Sequence, residues 1–212
     1  MTLGATLVVI AKAPVAGRSK TRLCPPCTPE QAARLAEAAL SDTLRAVAAV
    51  GVRRRLLALD GEPGAWIPAG FDVLRQRGEG LAERLANAVA DAGGPALVVG
   101  MDTPQATTGV LETAVARLLE PDVDAALGPA PDGGYWAIGL RHPDPAAFEG
   151  VPMSTEETGA AQLRRLRELG LRTALLPPLR DVDTIADAHA VAAARPGSAF
   201  ARELGALGLL AA

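Results

Sequence analysis

The sequence predicts an α/β fold in three layers, a mostly parallel sheet with helices on both faces, built as a single domain over residues 1–212. Two observations predict it. Short apolar runs alternate with helical patterns for most of the chain, which is the signature of strands joined by crossover helices. No repeat and no linker-like stretch divides the 212 residues, a length that one core can serve.

The elements follow in order. Thr6 to Ala11 is a short run rich in Val and Ile and reads as a buried strand. A loop runs from Lys12 to Cys27. Thr28, Pro29 and Gln31 form a helix start: a capping Thr, a Pro in the first turn and a capping-box partner. Ala36, Leu40, Leu44 and Val47 recur at helical spacing, and Gly51 ends that helix. Arg55 to Leu59 is a second strand, and Phe71 to Leu74 a short third. Leu81, Leu85, Ala88 and Ala92 mark a helix, Ala96 to Gly100 a strand, and Leu111, Val115 and Leu118 another helix. Asp124 to Gly128 and Tyr135 to Leu140 are strands, the second of unread pairing. Ser154 with Glu157 reads as a capping box that opens a helix closed by Gly170. Leu171 to Leu176 is a strand, and Thr184 caps the last clear helix.

Composition narrows the function. A net charge of −3 gives no general pull toward nucleic acid or anionic lipid. No apolar run reaches the ~20 residues of a membrane span, and Leu7-Val8-Val9-Ile10 is too short for a leader. A cytoplasmic protein with no membrane or nucleic-acid partner is expected. Cys24 and Cys27 lack a second ligand pair, so a tight Pro-bearing loop is favoured over a redox or zinc site. Neither histidine lies near a serine elbow, which argues against a Ser-His-Asp hydrolase.

Of 21 basic residues only Lys12 and Lys20 are lysines, and both fall in one loop after the first strand, with Gly17, Arg18 and Arg22. Open α/β sheets bind ligands beyond the carboxyl ends of their strands. Lysine is a compact point charge suited to phosphate, arginine grips phosphate oxygens in pairs, and Gly17 permits close backbone approach. A solvated basic loop is the plainer alternative. The segment lacks the Gly-Lys-Ser/Thr ending of a P-loop. Asp102 follows the Ala96–Gly100 strand and faces the same crevice. With Asp181 and Asp183 it is a candidate Mg²⁺ or Mn²⁺ site, although Asp102 can also serve a turn and Asp183 a helix N-terminus. Asp132, Gly133, Gly134 and Tyr135 are a candidate acceptor site, with an ordinary Asp-Gly-Gly turn as the alternative. Gln76 and Gly80 precede a helix and are weaker candidates for nucleotide contact.

Together, Lys12-x-Pro14-x-x-Gly17-x-x-Lys20-Thr21-Arg22-Leu23, the strand ending in Asp102-Thr103-Pro104, Gly128-Pro129-x-x-Asp132-Gly133-Gly134-Tyr135 and Asp181-Val182-Asp183-Thr184 resemble a bacterial family. It is the glycosyltransferase-A-like family of the radical-SAM/selenodomain-associated transferase type, itself similar to 2-phospho-L-lactate guanylyltransferases. The resemblance spans roughly Leu7 to Ala190 and implies a nucleotide-diphospho-sugar transferase fold. It implies di- or triphosphate binding at Lys12, Gly17, Arg18, Lys20 and Arg22, metal at Asp102 and Asp183, and an acceptor near Asp132 to Tyr135. The expected activity is Mg²⁺-dependent nucleotidyl transfer from an NTP to a small phosphorylated or otherwise anionic acceptor, with Lys20, Arg18 and Asp102 catalytic. Glycosyl transfer from a nucleotide sugar and non-catalytic nucleotide binding are the alternatives. Asp102 lacks the Asp-x-Asp partner common in metal-dependent glycosyltransferases of this fold. Charge balance favours the first reading: four cations plus Mg²⁺ supply about +6 against roughly −4 for an NTP, a surplus suited to an anionic acceptor.

Overall fold

The computed structural model describes residues 2–210. Seven strands form one sheet: β1 (Leu3–Lys12), β2 (Val52–Asp60), β3 (Asp72–Arg75), β4 (Ala96–Gly100), β5 (Ala125–Pro129), β6 (Tyr135–Leu140) and β7 (Thr173–Leu175). Their order is β3-β2-β1-β4-β6-β5-β7. Every pairing is parallel except those of β6, which runs antiparallel to β4 and β5. The mostly parallel α/β sheet that the strand–helix alternation predicts is therefore present.

The helices are α1 (Pro29–Ala49), α2 (Leu81–Asp91), α3 (Thr108–Leu118), α4 (Thr158–Glu168), α5 (Ile185–Ala194) and α6 (Ala199–Ala206). Alternation along β1 decides which residue meets which layer. Leu7, Val9 and Ala11 pack with Leu40, Leu44 and Val47 of α1 and Leu111, Val115 and Leu118 of α3. Val8 faces the other way, toward Leu85 and Val89 of α2 and Leu166 of α4. A third cluster joins Leu35 of α1 to Val191 of α5 and Phe200 and Leu204 of α6. Cys27 is buried in it and Cys24 packs against it, both as free thiols.

Two local expectations change. Thr28 and Gln31 do form the reciprocal capping box of α1. Ser154 and Glu157 do not form one: α4 begins at Thr158, its N-cap is Glu157, and no side chain caps it. Ser154 instead has φ 61, so it sits in a left-handed turn ahead of the helix. The second change is α6, beyond the last helix expected. Its first backbone N–H groups, those of Ala199 and Phe200, donate to the buried carboxylate of Asp42 on α1 at 3.0 and 2.8 Å. That contact spans most of the chain, and no local pattern foretells it.

Candidate functional site

The carboxyl ends of β1 and β4 lie side by side in parallel register, Ile10 opposite Gly100. The loop after β1 and the residues after β4 therefore open into the same space. Lys12, Arg18, Lys20 and Arg22 line one side of a cleft of about 830 Å³. Asp102, Asp181 and Asp183 lie on its floor, and Asp132, Gly134, Tyr135, Thr155 and Glu156 on its far side. A second cavity of about 380 Å³ adjoins it between β1, β4, β6 and α2, sharing Lys12, Asp102, Tyr135 and Asp181.

The loop is anchored by Ser19. Its hydroxyl donates to Ala13 O at 2.8 Å and accepts from Val15 N at 3.2 Å, closing the turn around Gly17, whose φ of 73 suits glycine. Lys20 then turns inward from a left-handed backbone, φ 51 and ψ 41. Its Nζ donates to Asp102 Oδ2 at 2.6 Å and to Asp183 Oδ1 at 3.2 Å. Burial acts to lower the Lys20 pKa, but the charges of Asp102 and Asp183 and their hydrogen bonds outweigh it and hold the ammonium above its usual range. Arg22, largely exposed, reaches Asp183 Oδ2 at 3.2 Å. Lys12 and Arg18 enter no ion pair among the described residues and face solvent.

The acids divide in two groups. Asp102 and Asp183 converge on one cationic centre. Their oxygens, with phosphate, are the donors a small divalent cation prefers, so the pair fits Mg²⁺ or Mn²⁺ in charge and donor type. Asp181 does not complete a three-carboxylate set: among the described residues, no three His, Cys, Asp or Glu side chains gather around a point that could hold a metal. Its carboxyl is pushed up to about 7, first by burial and then by the charges of Asp102 and Asp132. Asp132, Glu156 and Asp181 enter no ion pair among the described residues.

Gly133, read as an approach to ligand, also serves the chain itself. A Cβ on Gly133, whose φ is 90, would lie 2.0 Å from the carbonyl oxygen of Glu156. Gly133 O also accepts from Gly159 N at 2.7 Å. Gly133 thus lets the segment that begins α4 close against the turn. Gly134 and Asp132 remain on the cleft wall, and Asp132 Oδ1 accepts from Gly134 N at 2.9 Å. Tyr135 lines both cavities, and its buried hydroxyl, raised by desolvation, donates to Gln162 Oε1 at 3.2 Å. Trp136 is core, its indole N–H donating to Pro177 O at 3.0 Å.

Gln76 is spoken for. Its amide nitrogen donates to Ala11 O at 2.7 Å and Ala58 O at 2.9 Å, and its oxygen accepts from Arg84 at 3.3 Å. It ties the ends of β1 and β2 below the smaller cavity and has no donor left for a base. Gly80 caps α2 through its backbone alone. Sequence reasoning missed Asp60 and Arg84, whose 3.0 Å ion pair sits in that cavity. The signal was an acid at the carboxyl end of β2, next to the strand that carries the basic loop.

A mostly parallel sheet with a basic loop and an aspartate at adjoining strand ends is the architecture of the nucleotidyltransferase and nucleotide-diphospho-sugar transferase folds. Comparison agrees: a proposed nucleotide-diphospho-sugar transferase from Desulfovibrio desulfuricans superposes with a TM-score of 0.88 at 24% identity, covering 99% of this chain and 97% of that one. CMP:2-keto-3-deoxy-manno-octonic acid synthetase, solved with CTP, superposes at 0.60 with 16% identity over 90% and 97% of the two chains. The chain belongs to the DUF2064 family, described as uncharacterized proteins conserved in bacteria, whose profile matches residues 33–155. It is also 33% identical over 136 residues to the 2-phospho-L-lactate guanylyltransferase of Haloarcula marismortui, a match that spans 62% of this chain and 61% of the relative.

Proposed function

We propose that the chain is a nucleotide-dependent transferase that moves a nucleotidyl group from an NTP to a small-molecule acceptor. The observation that carries the proposal is the convergence of Lys20, Asp102 and Asp183 at the floor of a cleft whose rim holds Lys12 and Arg18. The partial match to a guanylyltransferase supports the same reaction class. Lys12, Arg18 and Lys20 bind the phosphates, and the smaller cavity beside α2 and β6 takes the base. An acceptor oxygen forms a bond to the α-phosphorus, the bond from that phosphorus to its bridging oxygen breaks, and the electron pair leaves with pyrophosphate; where the acceptor is a hydroxyl, its proton passes to a carboxylate of the cleft. Lys20 and Arg18 are placed to stabilise charge that builds on the phosphate oxygens. A divalent ion held by Asp102 and Asp183 would supply Lewis-acid neutralisation of those oxygens.

The positive charge left for an acceptor is smaller than the raw count of cations implied. Lys20 is already matched by carboxylates and Arg22 by Asp183, which leaves Lys12 and Arg18 as the uncommitted charges. The opposite wall carries Asp132 and Glu156, Asp181 lies unpaired on the floor, and no basic residue outside the β1 loop lines the cleft among the described residues. That wall favours an acceptor presenting hydroxyl or amine donors. The same two facts favour a second reading, glycosyl transfer from a nucleotide sugar to a hydroxyl, because two free cations suit a diphosphate.

A thermal-unfolding screen separates these readings. Each of the four NTPs, a set of nucleotide sugars and pyrophosphate is added with and without Mg²⁺, since a ligand specific to the folded state raises apparent stability. Nucleotidyl transfer predicts the largest shift with one NTP plus Mg²⁺. A shift confined to nucleotide sugars and nucleoside diphosphates would transfer the proposal to glycosyl transfer.

A further inference from the structure

The ammonium of Lys20 stands where the cation of the Asp102–Asp183 pair would stand. It lies 2.6 Å from Asp102 Oδ2 and 3.2 Å from Asp183 Oδ1, on a side chain only 10% exposed. The backbone is strained to aim it there, since Lys20 holds a left-handed conformation that residues with a Cβ rarely adopt. Arg22 engages the other oxygen of Asp183. A divalent ion arriving alone must therefore evict a buried ammonium and leave it without a partner. An unpaired buried charge is strongly unfavourable. A polyphosphate removes that obstacle, because it offers the displaced ammonium a new anion in the same cleft while freeing the carboxylates.

The geometry points to Lys20 as an internal counter-ion that keeps divalent metal off the Asp102–Asp183 pair until a polyphosphate arrives. Metal and nucleotide then bind with positive coupling: each tightens the other by the same factor. This rests on the proposed polyphosphate site, but its first half concerns the metal alone and can be tested alone.

The test is Mn²⁺ binding followed by electron paramagnetic resonance on the full chain without nucleotide, comparing wild type, Lys20→Met and the double variant Lys20→Met with Asp102→Asn. Lys20→Met should bind Mn²⁺ more tightly than wild type by on the order of tenfold or more, because the competing cation is gone. The gain should vanish in the double variant. Mn²⁺ should also raise the unfolding temperature of Lys20→Met and leave that of wild type nearly unchanged. If Lys20→Met does not fold, Lys20→Gln, which keeps a hydrogen-bond donor for Asp102, is held to the same comparison. Equal Mn²⁺ affinity in wild type and the lysine variant overturns the proposal, and so does a gain that survives Asp102→Asn. Adding each NTP to wild type with Mn²⁺ tests the other half. Failure of every NTP to bind would remove the polyphosphate reading and the coupling, while the metal-alone comparison would still stand on its own result.

Discussion

The two walls of the cleft differ in how their charges are satisfied. On the β1 side, Lys20 and Arg22 are held by Asp102 and Asp183, while Lys12 and Arg18 enter no ion pair among the described residues. On the far side Asp132 and Glu156, and on the floor Asp181, enter no ion pair among the described residues, and burial followed by the charges of Asp102 and Asp132 raises the Asp181 pKa. The contrast teaches that a count of charges along a loop is a poor guide to the charge a ligand meets. What matters is which charges the fold has already neutralised.

The first way to break this picture is at the floor. Asp102→Asn leaves Lys20 with one charged partner in place of two and removes a ligand from the proposed metal pair. Turnover should fall by roughly a hundredfold or more, the scale seen when a single electrostatic stabiliser of a transition state is lost. Retention of full turnover in the variant, or in wild type under chelation, would separate Asp102 from the chemistry.

Gly133 tests whether the far wall depends on backbone contact. Alanine there meets both a positive φ and the Glu156 carbonyl at 2.0 Å, so destabilisation by about 3 kcal/mol is expected from combined strain and overlap. Denaturant melts of wild type and Gly133→Ala measure it. An unchanged midpoint would show that the turn and the start of α4 are not locked together.

Lys20→Ala should weaken nucleotide binding by on the order of 2 kcal/mol, the loss of a charge-assisted contact in a partly dry site. Arg22→Ala should cost much less, because the guanidinium is 73% exposed and solvent screens its pair with Asp183. Calorimetric titration of both variants ranks them, and equal losses would mean that burial does not set the strength of this wall.

Asp181 gives the smallest effect and the one with a defined pH sign. Its folded pKa of about 7 lies above the usual 3.8 of an aspartate, so the folded state favours the protonated acid. The stability this contributes is full below pH 3.8 and is lost as pH rises through about 7. Asp181→Asn should therefore stabilise the ligand-free, metal-free protein at pH 8 by on the order of 1 kcal/mol, discounted for partial exposure, and do little at pH 4. Equal unfolding temperatures at pH 8 would mean that solvent reaches Asp181 freely.

Much of this was legible in the sequence where the physics is local. The Val- and Ile-rich run of β1, the Thr28 box of α1 and the placement of Asp102 after an apolar strand follow from periodicity, capping and strand-end rules. What was not legible depends on contacts distant in sequence. The antiparallel insertion of β6 between β4 and β5 is a choice of partners. The capping of α6 by Asp42 joins residues more than 150 positions apart, as does the bond between Lys20 and Asp183. Gln76 looked available because a sequence cannot show that two carbonyls already claim its amide.

The central claim is that the paired floor and the free rim of the cleft serve nucleotidyl transfer. The most direct measurement incubates the protein with NTPs labelled in the α-phosphate, Mg²⁺ and a panel of small hydroxyl-, amine- and phosphate-bearing acceptors, following both label and pyrophosphate. The account predicts that label moves onto an acceptor with an equal amount of pyrophosphate released, and that Asp102→Asn slows both together by roughly a hundredfold or more. Consumption of a nucleotide sugar with release of its nucleoside diphosphate, and no label transfer from any NTP, would contradict it.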